Sequence, residues 1–310
     1  MSDEPRLAGA AARAASEVRE ATRHDGLFWR RLAYAGAVHG PWWWRRYSPK
    51  WFGALAWALV GDRRRACAKH WREIGLVDSE PAAQLGALRT YLAFAESLTD
   101  GLEIAGRGLG AYSVTSPTPS PMKQAIALGR GVIVVTAHTG SWEVMGNMLG
   151  ANHDVGVTMV MAPEENETAR AFADGVRQRN PRVEIAYVGR DPTDALALVA
   201  ALRAKRVVAL QLDRTPPGMA TMGAPFFGRE RRFPVGPFRL AQATGAPLVA
   251  AFTRRVGFRR YVVDMPVGVL EVPRGRRDDS RLAPHVAAIA RGFEQFVRRN
   301  PEQWYHFEQS

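Results

Sequence analysis

The feature that most narrows the fold lies beyond residue 120, where short β-branched apolar runs recur between stretches of helical character. Candidate strands fall at 132–137, 155–161, 183–188, 207–212, 247–252 and 261–266. Most of these runs are apolar nearly throughout and lack the strict alternation of a half-exposed strand, so they need cover on both faces. Helical stretches between them, near 122–128, 142–149, 168–179 and 193–204, supply that cover, and a last helix at about 282–299 closes the fold. The pattern predicts an α/β fold, with a mostly parallel mixed sheet flanked by helices.

The first third reads differently. Residues 1–26 form a polar, alanine-rich tail with no apolar core before a small-residue cleavage site, and hence no secretory signal. Residues 27–115 read as a helical, aromatic-rich region, with an apolar stripe of Leu85, Leu88, Leu92, Ala95 and Leu98 inside a helix over 79–105. The run SVTSPTPSP at 113–121 reads as a loop or linker. It places the boundary of an α/β core spanning 116–310.

Charge separates the two parts further. The chain of 310 residues carries 42 basic against 30 acidic side chains, a net +12, and only four of the basic residues are lysines. The excess clusters: between Trp29 and Arg72 there are ten basic residues, one acid (Asp62) and seven of the nine tryptophans. Its two apolar segments, 32–44 and 51–61, are broken by Arg45, Arg46 and Lys50 and fall short of the ~18–20 residues that cross a bilayer. Tryptophan beside arginine suits the headgroup zone, where the indole is half apolar and the cation meets lipid phosphate. The expectation is peripheral docking on an anionic membrane lipid surface, the alternative being that these rings pack the helical half of the core. No nucleic-acid motif accompanies the patch. The single cysteine, Cys67, can form no internal disulfide.

In open α/β sheets, sites lie at the carboxyl ends of the strands. The first candidate strand ends in His138, followed by Gly140, Ser141 and Glu143. Gly140 permits close backbone approach, Ser141 is a plausible N-cap, and Glu143 then falls in the first helical turn. Such an arrangement suits acyl transfer to an alcohol. A neutral His138 removes the hydroxyl proton during attack on a thioester, while Glu143 holds the other ring nitrogen. The helix N-terminus stabilises the oxyanion. The spacing His-x4-Glu alone carries little weight; its position at a strand end carries more. Asp213, at the end of the 207–212 strand, is a candidate for binding or orienting substrate. The turn around Phe227 and Arg229, apolar with a basic rim, suits an acyl chain and a phosphate. There is no Gly-x-Ser-x-Gly, no dinucleotide fingerprint, no Walker lysine and no Cys/His metal spacing. The reading therefore includes neither a metal nor a cofactor.

Four blocks, AHTGSWEVMG (137–146), QLDRTPPG (211–218), APFFGRERRFPVGPFRLAQATGAPLVAAFTRR (224–255) and NPEQWYHF (300–307), resemble the bacterial lipid A biosynthesis acyltransferase family. The resemblance covers roughly residues 27–307. It implies a lysophospholipid-acyltransferase-like fold and a His-x4-Asp/Glu catalytic pair on His138 and Glu143, with Asp213 at a further acidic position of the site. It also implies an acyl donor, on acyl carrier protein or coenzyme A, and a lipid or glycolipid acceptor at the cytoplasmic face of the inner membrane. Gln211 stands where the family often has another acid, a departure from the pattern of a standard lipid A acceptor. The alternative among enzymes is an N- or O-acyltransferase of a secondary metabolite or amino lipid. A catalytically silent membrane-binding protein is the alternative from another class.

Overall fold

The computed structural model describes residues 27–116, 119–162, 170–171, 174–175, 181–189, 193–275 and 278–307. The expected N-terminal tail and most of the helix expected at 168–179 lie outside them. The described elements, in chain order, begin with four helices: α1 (Leu27–His39), α2 (Trp42–Leu59), α3 (Gly61–Glu73) and α4 (Glu80–Arg107). There follow β1 (Ser113–Thr115), α5 (Pro121–Ala127), β2 (Val132–Thr136), α6 (Trp142–His153), β3 (Val157–Met161), β4 (Val183–Tyr187), α7 (Asp194–Arg203) and β5 (Val207–Gln211). The chain continues through β6 (Thr221–Phe226), β7 (Arg229–Pro234), α8 (Gly236–Thr244), β8 (Leu248–Ala250), β9 (Phe252–Gly257), β10 (Arg260–Asp264) and α9 (Ala283–Arg299).

Five strands form one parallel sheet in the order β4-β3-β5-β2-β8. The continuous apolar runs have the anticipated cause. Along β2, Ile133 and Val135 face a cluster containing Leu198 and Leu202 of α7, Phe238 of α8 and Phe293 of α9. Val132 and Val134 face Met122 of α5 with Met145 and Leu149 of α6. Strand β2 is thus buried from both sides, as the centre of a parallel sheet requires.

Two elements depart from the sequence reading. The expected strand at 247–252 divides: β8 stays in the parallel sheet, and β9 leaves it to pair with β10. The expected linker at 113–121 is in part a strand, because β1 pairs in parallel with β10, Ser113 opposite Arg260. Three residues carry too short a pattern to read. The turn at Phe227 and Gly228 closes a β6–β7 hairpin, both residues having positive φ (51° and 74°), as a tight two-residue hairpin turn demands.

Helix α2 carries its polarity the opposite way from an ordinary surface helix. Arg45, Ser48 and Gly53 are buried, whereas Trp42, Trp43, Trp44, Tyr47, Trp51 and Phe52 are exposed, Trp51 at 77%. Trp29 on α1 is exposed too. Of the seven clustered tryptophans only Trp71 is fully buried, its Nε1 donating to Thr90 Oγ1 at 3.2 Å, while Trp57 is half-buried. Among the described residues, no helix is long and apolar enough to cross a membrane.

Buried charge ties both α2 and the β9–β10 hairpin to α4. Glu96, Asp100 and Glu103 lie along one face of α4. Glu103 accepts from Arg45 of α2 (2.6 Å), Arg259 of the β9–β10 turn (2.5 Å) and the Tyr112 hydroxyl (2.8 Å). Asp100 accepts from Arg255 Nε and the Tyr261 hydroxyl, both at 2.7 Å, and Arg255 also reaches Glu96 at 2.9 Å. Burial pushes the Asp100 carboxyl above its ordinary range, against the pull of Arg255 and its hydrogen-bond donors. Removing a cation from such a set strands a buried anion. Arg255→Met is therefore expected to lower unfolding free energy in urea by about 3–5 kcal/mol, and Arg255→Met with Asp100→Leu by clearly less. Equal losses would show that the ion pair is not what holds this junction.

Candidate active site

The pairing of β2 with β5 builds the site. Thr136 lies opposite Gln211, and the Leu212 N–H continues the ladder onto the Thr136 carbonyl at 2.9 Å. His138 and Asp213 each lie two residues beyond that matched pair, so they emerge side by side at the carboxyl edge of the sheet. Asp213 Oδ1 accepts from the His138 backbone N–H at 3.1 Å and sits 2.9 Å from the ring Nδ1. The Asp213 side chain has no exposed surface, while that of His138 keeps 26%. The ring is partly open and its partner is sealed.

Burial by itself would raise the Asp213 pKa. The charge of His138, the hydrogen bonds from His138 and the Trp304 indole, and the nearby Arg214 outweigh it and hold the pKa at about 2. An ionised carboxylate can only accept, so Nδ1 carries the proton and the lone pair of a neutral ring is on Nε2.

The loop between His138 and α6 is held tightly. Ser141 caps α6, its Oγ accepting from the Val144 N–H at 3.3 Å. Gly140 has φ of 53°, and a Cβ there would lie 2.4 Å from the Thr253 carbonyl oxygen. The segment after α9 clamps the same loop: Tyr305 N–H donates to His138 O at 2.8 Å, Gly140 N–H to Gln303 O at 3.2 Å, and Thr139 bridges to Trp304.

Glu143 stands in the first turn of α6, as the spacing suggested, but the carboxylate on Nδ1 is that of Asp213. Glu143 is directed at α4, where a Cβ added to Gly101 would lie 3.0 Å from its Oε2. There it lines a cavity of about 410 Å³ with Ile104, Asn147, Met159 and Ile185. Phe227 and Arg229 flank the hairpin turn: the Phe227 N–H donates to Glu294 Oε2 at 2.7 Å, and its ring lies 4.4 Å from the Arg298 guanidinium carbon. The hairpin arginine that reaches the dyad is Arg231, which donates to the Asp213 carbonyl at 3.0 Å and stacks on Trp304 at 5.0 Å. Trp304 and Arg231 were not singled out as site residues in the sequence. The traces they left were the NPEQWYHF block and the basic rim after Phe227.

His138 thus stands at a parallel strand end, backed by a sealed carboxylate and followed by a capped helix. Residues 120–310 match the family model described as bacterial lipid A biosynthesis acyltransferase, which covers more than half of the chain. The chain belongs to that family. Within this acyltransferase family it is similar to the phosphatidylinositol mannoside acyltransferases of two Mycobacterium tuberculosis strains, CDC 1551 / Oshkosh and ATCC 25618 / H37Rv. Each is 28% identical over 188 residues, covering 58% of this chain and 54% of the relative. The chain thus spans about half the length of the curated relatives it matches.

Gly140→Ala tests whether the tight loop sets the geometry of the site. The left-handed backbone and the clash with Thr253 are expected to cost about 2–3 kcal/mol in thermal or urea unfolding. Unchanged stability would show that the loop relaxes freely.

Proposed function

We propose that this protein transfers a fatty acyl group from a thioester donor to a hydroxyl of a lipid or glycolipid acceptor at a membrane surface. The observation that carries this reading is the buried, ionised Asp213 on Nδ1 of a half-open His138, in a chain of the lipid A acyltransferase family. His138 Nε2 takes the acceptor's hydroxyl proton as the oxygen attacks the thioester carbonyl, and Asp213 stabilises the imidazolium that forms. The tetrahedral oxyanion lies toward the positive N-terminal end of α6. As the oxyanion collapses, the C–S bond breaks and the thiolate takes the proton back from the imidazolium. The products are an ester and a free thiol. The acceptor is itself the nucleophile, so no enzyme serine or cysteine is needed.

Glu143, on the helix that follows His138, lies where it can contact a donor or acceptor instead of the Nδ1 edge. The donor is an acyl carrier protein or coenzyme A thioester, both acidic partners for a chain of net charge +12. The mycobacterial relatives make phosphatidylinositol mannosides the first acceptors to try.

The aromatic face of α1 and α2 supports action at a lipid surface. It turns outward while the buried side of α2 is small or polar, the reverse of what core packing would select. We place that surface at the cytoplasmic face of the inner membrane, held peripherally.

The decisive assay supplies palmitoyl-coenzyme A or palmitoyl-acyl carrier protein with phosphatidylinositol mannosides and follows a gain of one acyl group by mass spectrometry. His138→Ala is expected to reduce transfer at least ~10³-fold with unchanged circular dichroism. Turnover in that variant near the wild-type rate would remove the mechanism. With Asp213 ionised from a pKa of about 2 upward, its own protonation adds no second break to the acid side of the kcat/KM profile. The logarithm of kcat/KM therefore falls with a slope of one as pH drops below the profile's midpoint, and a slope of two would contradict the assignment. For docking, sedimentation with phosphatidylglycerol vesicles should weaken in Trp51→Ala/Phe52→Ala and at high salt. Insensitivity to both would rule out this face.

A further inference from the structure

The tryptophan behind the dyad holds it from two directions at once. Through its backbone the segment of Trp304 is tied to the His138 loop: Thr139 bridges to Trp304, and the next N–H, that of Tyr305, donates to His138 O. Through its side chain Trp304 reaches the other partner, its Nε1 donating to Asp213 Oδ2 at 2.9 Å across 91 residues of sequence. Both carboxylate oxygens are thereby assigned, Oδ1 to His138 and Oδ2 to the indole. The carboxylate cannot rotate without breaking one bond or the other.

The surroundings of the ring favour this work over simple filling of space. Phe226 and Phe293 meet it edge-on, at 5.8 and 5.0 Å between ring centroids. The Arg231 guanidinium lies 5.0 Å from it, also donating to the Asp213 carbonyl. His70 and His306 pack against it at 4.5 and 5.3 Å. Burial first, then the charge of His306 and Arg231 for His70 and that of Arg231 for His306, lowers the pKa of both histidines, to about 4 for His306. The indole is therefore fixed in orientation by packing, with the Arg231 guanidinium stacked on it.

The geometry points to Trp304 as a positioning residue for acyl transfer, acting through Asp213 on the His138 base. This inference rests on the reading of His138 as the base. Its chemistry is specific. An indole N–H on Oδ2 withdraws charge from the carboxylate and limits how strongly it stabilises the imidazolium. Without that N–H, Oδ1 carries more charge and the carboxylate is free to turn.

Trp304→Phe keeps an aromatic ring and deletes the donor. With palmitoyl-coenzyme A and phosphatidylinositol mannoside in mixed micelles, kcat is expected to fall about tenfold or more with KM little changed. The acid limb of the kcat/KM profile is expected to move to higher pH. Loss of kcat with the limb unmoved would reduce Trp304 to a packing role and overturn the proposal, as would wild-type kcat. Asp213→Asn, measured alongside, separates the two levels: activity surviving in that variant sinks the dyad itself, whatever Trp304 does. Should Trp304→Phe fail to fold, or these substrates not turn over, the 15N-labelled indole signals of the folded wild type decide. The Trp304 N–H is expected downfield of the other eight tryptophans and shifted upfield in Asp213→Asn. An unshifted signal overturns the proposal.

Discussion

Everything chemical in this molecule depends on the register between β2 and β5. Thr136 opposite Gln211 sets His138 opposite Asp213, and a slip of one residue would turn one of the two side chains to the other face of the sheet. Backbone groups carry the match past the strand ends, the Leu212 N–H donating to the Thr136 carbonyl and the His138 N–H to Asp213 Oδ1. Ile133 and Val135 are buried in one core and Val132 and Val134 in the other.

Helix α4 couples that site to the rest of the chain. One of its faces carries Glu96, Asp100 and Glu103, which gather arginines from α2 and from the β9–β10 hairpin. At Gly101 the same helix comes against the first turn of α6, where Ser141 and Glu143 sit. The outward aromatic face of α2 and the loop that carries His138 are thus both tied to one helix.

The sequence made the parallel strands legible because their burial is two-sided and so continuous in composition. The positions of His138, Ser141, Glu143 and Asp213 followed from the ends of those strands and the helix that follows the first. What stayed hidden depends on partners far away in sequence. A three-residue strand such as β1 has no period of its own and exists only because β10 offers it an edge. The role of Trp304 needed Asp213, and that of Arg231 needed Trp304. The ion-pair face of α4 looked like an ordinary charged helix face, since nothing in Glu96, Asp100 and Glu103 says that Arg255 and Arg259 will cover them. The tryptophan cluster allowed two readings, and burial resolved it residue by residue: Trp71 packs inside and Trp51 faces out.

The long reach of the contacts around the dyad has a consequence for how the chain acquires its structure. His138 meets Asp213 across 75 residues, and Asp213 meets Trp304 across 91. Closing loops of that size is slow compared with forming the helices, so the site is among the last features to appear during folding. The His138–Asp213–Trp304 arrangement is therefore complete only once the whole sheet and the segment after α9 are in place.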